Sequence, residues 1–232
     1  MITIRKSGDR GHANYGWLDA HYSFSFGSYN DPAHMGFSEL RVLNQDTVQP
    51  GQGFGTHGHR DMEIVTYVLS GTLEHKDSMG NGSTIRPGEV QLMSAGSGVT
   101  HSEFNASNSD ELHLLQMWIL PRSARTKPRY EQKEFPAEDR TGRLLLVVSP
   151  NGADGSLTIG QDVRLFVGTL HDGDTWGLSL AEGRKAYLHV AEGHVTLNGE
   201  RLGPGDGAAI ESERNLELTG AGGEVVLWDL PE

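Results

Sequence analysis

Two short histidine-containing segments carry the strongest chemical signal in the sequence. His57 and His59 lie two positions apart after a glycine-rich stretch, and His101 and Glu103 repeat that spacing farther along the chain. Because side chains at i and i+2 of a β-strand point to the same face, each pair can approach one ion. Three imidazoles and one carboxylate suit a divalent first-row transition metal and leave positions open for substrate or dioxygen. The sequence therefore predicts a metal site formed by His57, His59, His101 and Glu103.

Glu63 is the alternative to Glu103 as the carboxylate ligand. Its even offset from His59 could bring it to the same face, or it could orient one of the histidines from behind. Glu103 is preferred because its pairing with His101 copies the spacing of the first pair. A single histidine is more often a hydrogen-bonded core residue than a ligand, so the prediction depends on two matched pairs rather than on one residue.

The remaining histidines of the first half carry weaker signals. We expect His12, His21 and His34 to make turn or surface hydrogen bonds. His75 could approach the metal-bearing region, and a solvated position on a hairpin is an equally good interpretation.

The composition argues against several other functions. Among 232 residues, 31 Asp and Glu outnumber 19 Lys and Arg, and a formal charge of −12 opposes binding to nucleic-acid phosphates. There is no cysteine, so a metal must use imidazole and carboxylate ligands. No apolar run approaches the roughly 18 residues that a membrane span requires. We expect a soluble, cytoplasmic protein that is monomeric or weakly associated.

Short apolar runs separated by turn residues predict an all-β protein. The clearest runs are residues 64–69, 112–120, 144–148, 163–167, 187–190, 194–197 and 224–228. Glycine is nearly twice as frequent as the average of about 7 %, with 31 residues in this chain, which is typical of many tight turns.

An internal repeat predicts two β-barrel units of one kind. Gly71-Thr72-Leu73 followed by Pro87-Gly88-Glu89 is echoed by Gly193-His194-Val195 followed by Pro204-Gly205-Asp206. Each copy contains a glycine-led strand, a turn, and a Pro-Gly-acid step into another strand, as expected for a duplicated unit.

The polar, proline-containing region 121–143 is interpreted as the connection between these units. Residues 1–137 are then an N-terminal metal-binding domain, and residues 138–232 are a C-terminal domain without metal ligands. Transferring the ligand offsets from Gly71 and Pro87 to the second copy leads to four residues that do not ligate transition metals usefully: Ser179, Ala181, Leu218 and Gly220.

Longer motifs surround the candidate ligands. They are Arg10-Gly11-His12-Ala13-Asn14, Gly16-Trp17-Leu18-Asp19, Ser23-Phe24-Ser25-Phe26, the stretches 53–63 and 93–103, and Gln116-Met117-Trp118-Ile119. In these motifs the chain resembles the pirin family of bicupins, and particularly its bacterial quercetin 2,3-dioxygenase-like branch. The resemblance covers most of residues 1–135 and is weaker in the second half, where it depends mainly on residues 154–157 and 161–162.

The resemblance implies a fold, a cofactor and an activity. The implied fold is two tandem cupin-type β-barrels of the RmlC-like jelly-roll kind. The implied ligands are His57, His59, His101 and Glu103, with Glu63 outside the coordination sphere. They would hold one divalent transition-metal ion, with Fe(II) favoured over Zn, Mn, Ni, Cu and Co. Family members are associated with cleavage of the flavonol quercetin by O2, which releases carbon monoxide and a depside.

Under this activity Glu103 is the candidate base for the flavonol hydroxyl. A flat polyphenol also needs an apolar slot, for which the candidates are Phe54, Phe104, Met93 and Met117. Eukaryotic pirins are regarded as metal-dependent partners of transcription factors, so a regulatory role with a protein partner is the alternative function. A metal-binding protein with a different, unknown substrate is a third possibility.

Overall fold

The computed structural model describes all 232 residues and consists almost entirely of β-strands. In chain order the first eleven strands are β1 (Ile2–Arg5), β2 (Gly11–Asn14), β3 (Leu18–Tyr22), β4 (Leu40–Val48), β5 (Gly53–His59), β6 (Glu63–Ser70), β7 (Leu73–Asp77), β8 (Gly82–Ile85), β9 (Glu89–Ser94), β10 (Val99–Asn105) and β11 (Leu112–Ile119). The next eleven are β12 (Arg129–Glu134), β13 (Leu145–Ser149), β14 (Leu157–Thr158), β15 (Arg164–Leu170), β16 (Thr175–Ser179), β17 (Lys185–Glu192), β18 (Val195–Leu197), β19 (Glu200–Leu202), β20 (Gly207–Ile210), β21 (Asn215–Gly220) and β22 (Gly223–Leu230). One short α-helix, α1, spans Ala137–Arg140. Each predicted apolar run overlaps a strand, which confirms the all-β prediction.

The strands belong to two compact units whose bounds differ from the expected division at residue 137. The N-terminal unit comprises Gly11–Glu134 and Ile159–Gln161, and the C-terminal unit comprises Met1–Arg10, Phe135–Thr158 and Asp162–Glu232. The first ten residues belong to the C-terminal unit because β1 pairs antiparallel with β20. No local sequence pattern identifies so distant a partner.

The N-terminal unit contains one seven-stranded and one four-stranded sheet. The strand orders are β12-β9-β6-β11-β4-β3-β2 and β5-β10-β7-β8. Apolar side chains of both sheets share one core, in which Val48 and Leu112 of the larger sheet lie in the same cluster as Leu73 and Ile85 of the smaller sheet. The sheets therefore pack face to face, as in a jelly roll.

The C-terminal unit repeats this plan. Its sheets have the orders β1-β20-β17-β22-β15-β13-β14 and β16-β21-β18-β19. The glycines that begin the sequence repeat are equivalent in the two units, since Gly71 precedes β7 and Gly193 precedes β18. Both have positive φ, 84° and 66°, and a Cβ on either would overlap a backbone carbonyl of a neighbouring loop. The two-unit organisation predicted from the repeat is confirmed.

The expected connection contains a strand that has no signal in the sequence. In region 121–143, β12 pairs with β9 and forms an edge of the larger sheet of the N-terminal unit. Charged Arg129, Glu131 and Lys133 alternate along this strand, so it lacks an apolar signal. Charges on an edge strand discourage pairing with other chains.

None of the helices in this structure has the length and apolar character of a membrane-spanning helix.

Candidate metal centre

A β-bulge sets the direction of the first histidine pair. In the pairing of β5 with β10, His57 lies opposite His101 and Phe54 lies opposite Glu103, so two residues of β5 stand opposite Ser102 alone. In a regular strand Phe54 and His57, three positions apart, would face opposite sides. The bulge reverses this alternation, and both side chains line one cavity.

Three histidines converge inside the N-terminal unit. One ring nitrogen from each of His57, His59 and His101 lies within 4.8 Å of the others, and Nε2 of His101 is 3.1 Å from Nε2 of His57. With its proton on Nδ1, His57 donates to the carbonyl oxygen of Gly55 at 2.8 Å and leaves the lone pair of Nε2 available. Three converging imidazole nitrogens fit a transition-metal ion.

Burial keeps two of these imidazoles uncharged. The pKa of His59 is lowered to about 4, first by burial and then by the neighbouring His57. The pKa of His101 is lowered to about 3 by burial, followed by the charges of His57 and His59. A neutral imidazole is the form that binds a metal, so both residues are in the ligand form at neutral pH.

Glu103 faces the same cavity but is not equivalent to the histidines. It lies in a second group of possible ligand atoms, with His75 and His101, rather than in the group of three histidines. Gln116 Nε2 donates to the two carboxylate oxygens at 3.1 and 3.4 Å. The side chain is buried, which raises its pKa to about 7. The arrangement suits a carboxylate that both approaches an ion and exchanges a proton.

Glu63 has a different environment. Its carboxylate accepts hydrogen bonds from Ser94 Oγ at 2.7 Å and from the backbone N–H of Gly160. Burial raises its pKa, and it belongs to none of the groups of possible metal ligands. These contacts favour a structural role that holds residues 159–161 to the N-terminal unit.

His75 is buried beside the histidine cluster, which decides between the two interpretations left open by the sequence. Its ring centroid lies 5.3 Å from that of His101 and 4.9 Å from that of the stacked ring of Tyr130. Nε2 is 3.5 Å from Asp77 Oδ2. Burial lowers the pKa of His75, so a neutral imidazole lies next to His101.

The cavity in front of the histidines has a volume of about 420 Å³, within the usual range for small-molecule sites. Its apolar walls are aromatic, with Trp17 packed edge-on against Phe54 and Phe26 edge-on against Trp118. The ring of Trp118 also lies 4.9 Å from that of His59. A flat aromatic molecule placed between these walls would contact the histidine side of the cavity.

Only one of the four residues expected to form the apolar slot is in it. Phe54 lines the cavity, whereas Met93 and Met117 are fully buried core residues and Phe104 is 37 % exposed on the opposite face of β10. The period-2 alternation of β11 explains the error for Met117, because Gln116 and Trp118 face the cavity and the residue between them points away.

The corresponding positions of the C-terminal unit are all leucines. The equivalence follows from strand pairing. The pair Leu197–Leu218 between β18 and β21 corresponds to the pair His75–Glu103 between β7 and β10. The pair Leu178–Leu216 between β16 and β21 corresponds to the pair His57–His101 between β5 and β10. The same count gives the counterparts of His57, His59, His101 and Glu103 as Leu178, Leu180, Leu216 and Leu218.

The residues obtained from sequence offsets are therefore displaced by one position for Ser179 and Ala181 and by two positions for Leu218 and Gly220. The count shifts because the chain segments between the repeated glycine or proline and these positions differ in length between the two units. These leucines pack in the apolar core of the C-terminal unit, which supports the prediction that this unit lacks a metal.

Gly53 offers a test of the strand spacing that supports the centre. A Cβ on Gly53 would overlap the backbone of Glu103 and Phe104, whereas a Cβ on Gly55 meets no atom within 4 Å. We expect Gly53→Ala to destabilise the protein by about 1–3 kcal/mol and to weaken metal binding at least about tenfold, as β5 moves from β10. Gly55→Ala should retain the stability and the metal affinity of the wild-type protein. Thermal melting and metal titration of the two variants provide the measurement, and equal behaviour would contradict this account.

The fold and the site together define a bicupin with a histidine-rich centre in its N-terminal barrel. The chain belongs to the pirin family. The pirin family model matches residues 3–119, and a model described as the quercetinase C-terminal cupin domain matches residues 146–230. The resemblance identified in the sequence, including the cupin barrels, is confirmed.

Several known proteins are similar to this chain over nearly its whole length. It is 48 % identical to a protein named quercetin 2,3-dioxygenase from Escherichia coli K12, over all of this chain and 99 % of that one. The crystal structure of the bacterial pirin YhhW from E. coli in complex with nickel(II) matches with a TM-score of 0.95 and 47 % identity, over all of this chain and 99 % of that one. A pirin-like protein from Caulobacter vibrioides is 41 % identical over 99 % of both chains. The expectation of a quercetin 2,3-dioxygenase-like chain is therefore confirmed.

Proposed function

We propose that this protein is a metal-dependent dioxygenase that cleaves a flavonol of the quercetin type with O2 and releases carbon monoxide. The observation that carries the proposal is one cavity in which aromatic walls meet His57, His59 and Glu103. The name of the E. coli relative, quercetin 2,3-dioxygenase, supports the same substrate class. A phenolic substrate and O2 are thus the proposed small-molecule partners.

In this proposal His57, His59 and His101 hold one divalent transition-metal ion, and Glu103 completes the set. When bound, the ion supplies Lewis acidity that lowers the pKa of a coordinated hydroxyl. The E. coli pirin was crystallised in complex with nickel(II), which supports the proposal that this chain also binds a metal. Iron(II) is the proposed native ion, and metal analysis of protein purified without added metal tests that choice.

Glu103 is the proposed base for the flavonol 3-hydroxyl. A carboxylate works best as a base when its pKa lies near the working pH, and burial raises the pKa of Glu103 to about 7. The donor hydrogen bonds from Gln116 orient its two oxygens. Proton transfer from the hydroxyl to Glu103 leaves an electron-rich enolate, which is the form of the substrate that reacts with O2.

The aromatic walls bind and shield the substrate in this proposal. Trp17, Phe26, Phe54 and Trp118 provide apolar surface for the flat rings of a flavonol and exclude water from the reacting carbons. Trp118 also contacts His59, so the bound rings lie next to the metal ligands.

A closed-vessel assay tests the function. Purified protein supplied with quercetin and O2 should consume the flavonol absorbance and release one carbon monoxide per flavonol cleaved. Chelated protein should be inactive, and added divalent metal should restore turnover. Protein that holds metal but leaves quercetin intact would contradict the proposal and favour the regulatory alternative.

A further inference from the structure

The hairpin formed by β2 and β3 places two imidazoles and a carboxylate together on the outside of the N-terminal unit. His12 is paired directly with His21 across the two strands, and Asp19 lies two positions before His21. The side chains of β3 alternate between the two faces of the sheet. Leu18, Ala20 and Tyr22 pack in the core, and Asp19 and His21 face the other side. This group is therefore separate from the candidate metal centre.

Two imidazole nitrogens converge on one carboxylate oxygen in this group. His12 Nε2 lies 2.8 Å from Asp19 Oδ1, and His21 Nδ1 lies 3.7 Å from the same atom. One ligand atom from each residue lies within 4.8 Å of the other two. Metal–ligand bonds of about 2.0–2.2 Å place neighbouring ligand atoms about 3–3.6 Å apart. The rings of His12 and His21 are stacked with their centroids 4.5 Å apart, so they must turn toward each other for both nitrogens to bind one ion.

The turn that joins β2 to β3 orients the carboxylate. Asn14 Nδ2 donates to the second oxygen, Asp19 Oδ2, at 3.2 Å, and Asn14 Oδ1 accepts from the backbone N–H of Gly16 at 2.8 Å. Outer hydrogen bonds of this kind hold a ligand in place. The side chains are also accessible to an ion from solvent, with 51 % of His12 and 39 % of Asp19 exposed.

We propose that His12, Asp19 and His21 form a second binding site, for a divalent transition-metal ion of the zinc type. Two imidazoles and one carboxylate are a ligand set that such ions prefer, with water completing the coordination. An ion bound there joins the edge strand β2 to β3 and therefore stabilises the edge of the larger sheet. The proposal does not depend on the dioxygenase activity.

Zinc titration of chelator-stripped protein tests the site. Wild-type protein should bind two equivalents of Zn²⁺ per chain. The double variant His12→Gln, His21→Gln should bind one equivalent and keep its metal-dependent quercetin turnover unchanged. His101→Ala should retain the hairpin equivalent, whose binding should shift the imidazole NMR signals of His12 and His21.

His34→Gln is the matched control, because His34 is a partly exposed histidine hydrogen-bonded to Asp31 at 2.7 Å but belongs to no three-ligand group. It should bind two equivalents. The proposal is overturned if the double variant binds as much Zn²⁺ as wild type, or if Zn²⁺ leaves the NMR signals of His12 and His21 unmoved. Wild-type protein that binds metal but does not turn over quercetin would instead contradict the proposed function and leave the hairpin site untouched.

Discussion

Replacement of His101 by alanine should empty the metal centre and abolish flavonol cleavage. His101 is 2 % exposed, and the group of possible ligand atoms that contains His57 and the group that contains Glu103 share it. Metal content is expected to fall by one equivalent per chain relative to wild type. Loss of a Lewis acid costs several kcal/mol of transition-state stabilisation, so kcat/KM should fall by about 10³-fold or more. Metal analysis after gel filtration, together with the flavonol assay, provides the measurement.

Two comparisons keep this prediction specific. His34→Ala removes a histidine outside the centre and should retain wild-type metal content and turnover. The circular dichroism of His101→Ala should remain that of a β-protein, since one alanine removes no strand pairing. Wild-type metal content in folded His101→Ala would show that His101 is not a ligand.

Replacement of Glu103 by glutamine should separate metal binding from proton transfer. The amide keeps the volume of the carboxyl group and its contact with Gln116, but it does not accept the substrate proton. At saturating metal, the three imidazoles should retain the ion while kcat falls by about 10²–10⁴-fold, the usual contribution of a general base. Measurement of kcat and metal content in one preparation tests this. Unchanged kcat would exclude Glu103 as the base.

The same substitution has a consequence for the stability of metal-free protein. Burial raises the pKa of Glu103 from 4.5 to about 7, so the folded state binds a proton more strongly than the unfolded state between these values. Through this group, wild-type stability falls as pH rises from about 4.5 to 7. Glu103→Gln lacks this loss and should be more stable than wild type above pH 7 by a few kcal/mol, at about 1.4 kcal/mol per pKa unit. Urea unfolding of chelated protein at pH 5 and pH 8 measures the difference; equal pH dependence would contradict it.

Much of the candidate site follows from local sequence. The pairs His57–His59 and His101–Glu103 are recognisable because residues two apart share one face of a strand. The structure brings the three histidines together and places Glu103 beside them, while their role as ligands stays a prediction. Residues 116 and 118 share one face of β11. Once Gln116 is known to line the cavity, strand alternation therefore predicts that Trp118, rather than Met117, also lines it.

Other residues of the site depend on neighbours that are distant in the sequence. His75 reads as a hairpin histidine, and its burial depends on Tyr130, which lies in a strand without apolar character. Trp17 and Phe26 reach the cavity only because β3 and the segment after it lie beside β4. No local pattern predicts those contacts.

The sequence by itself determined the β class, the duplicated plan and the histidine and carboxylate pairs of the candidate site, because these depend on alternation, turn residues and spacing within a few positions. The tertiary structure decided the pairing of β1 with β20, the burial of His75 and the bulge that turns Phe54 and His57 to the same side. It also determined that leucines occupy the corresponding positions of the C-terminal unit. These features depend on strand register, which is determined by packing between residues far apart in the chain.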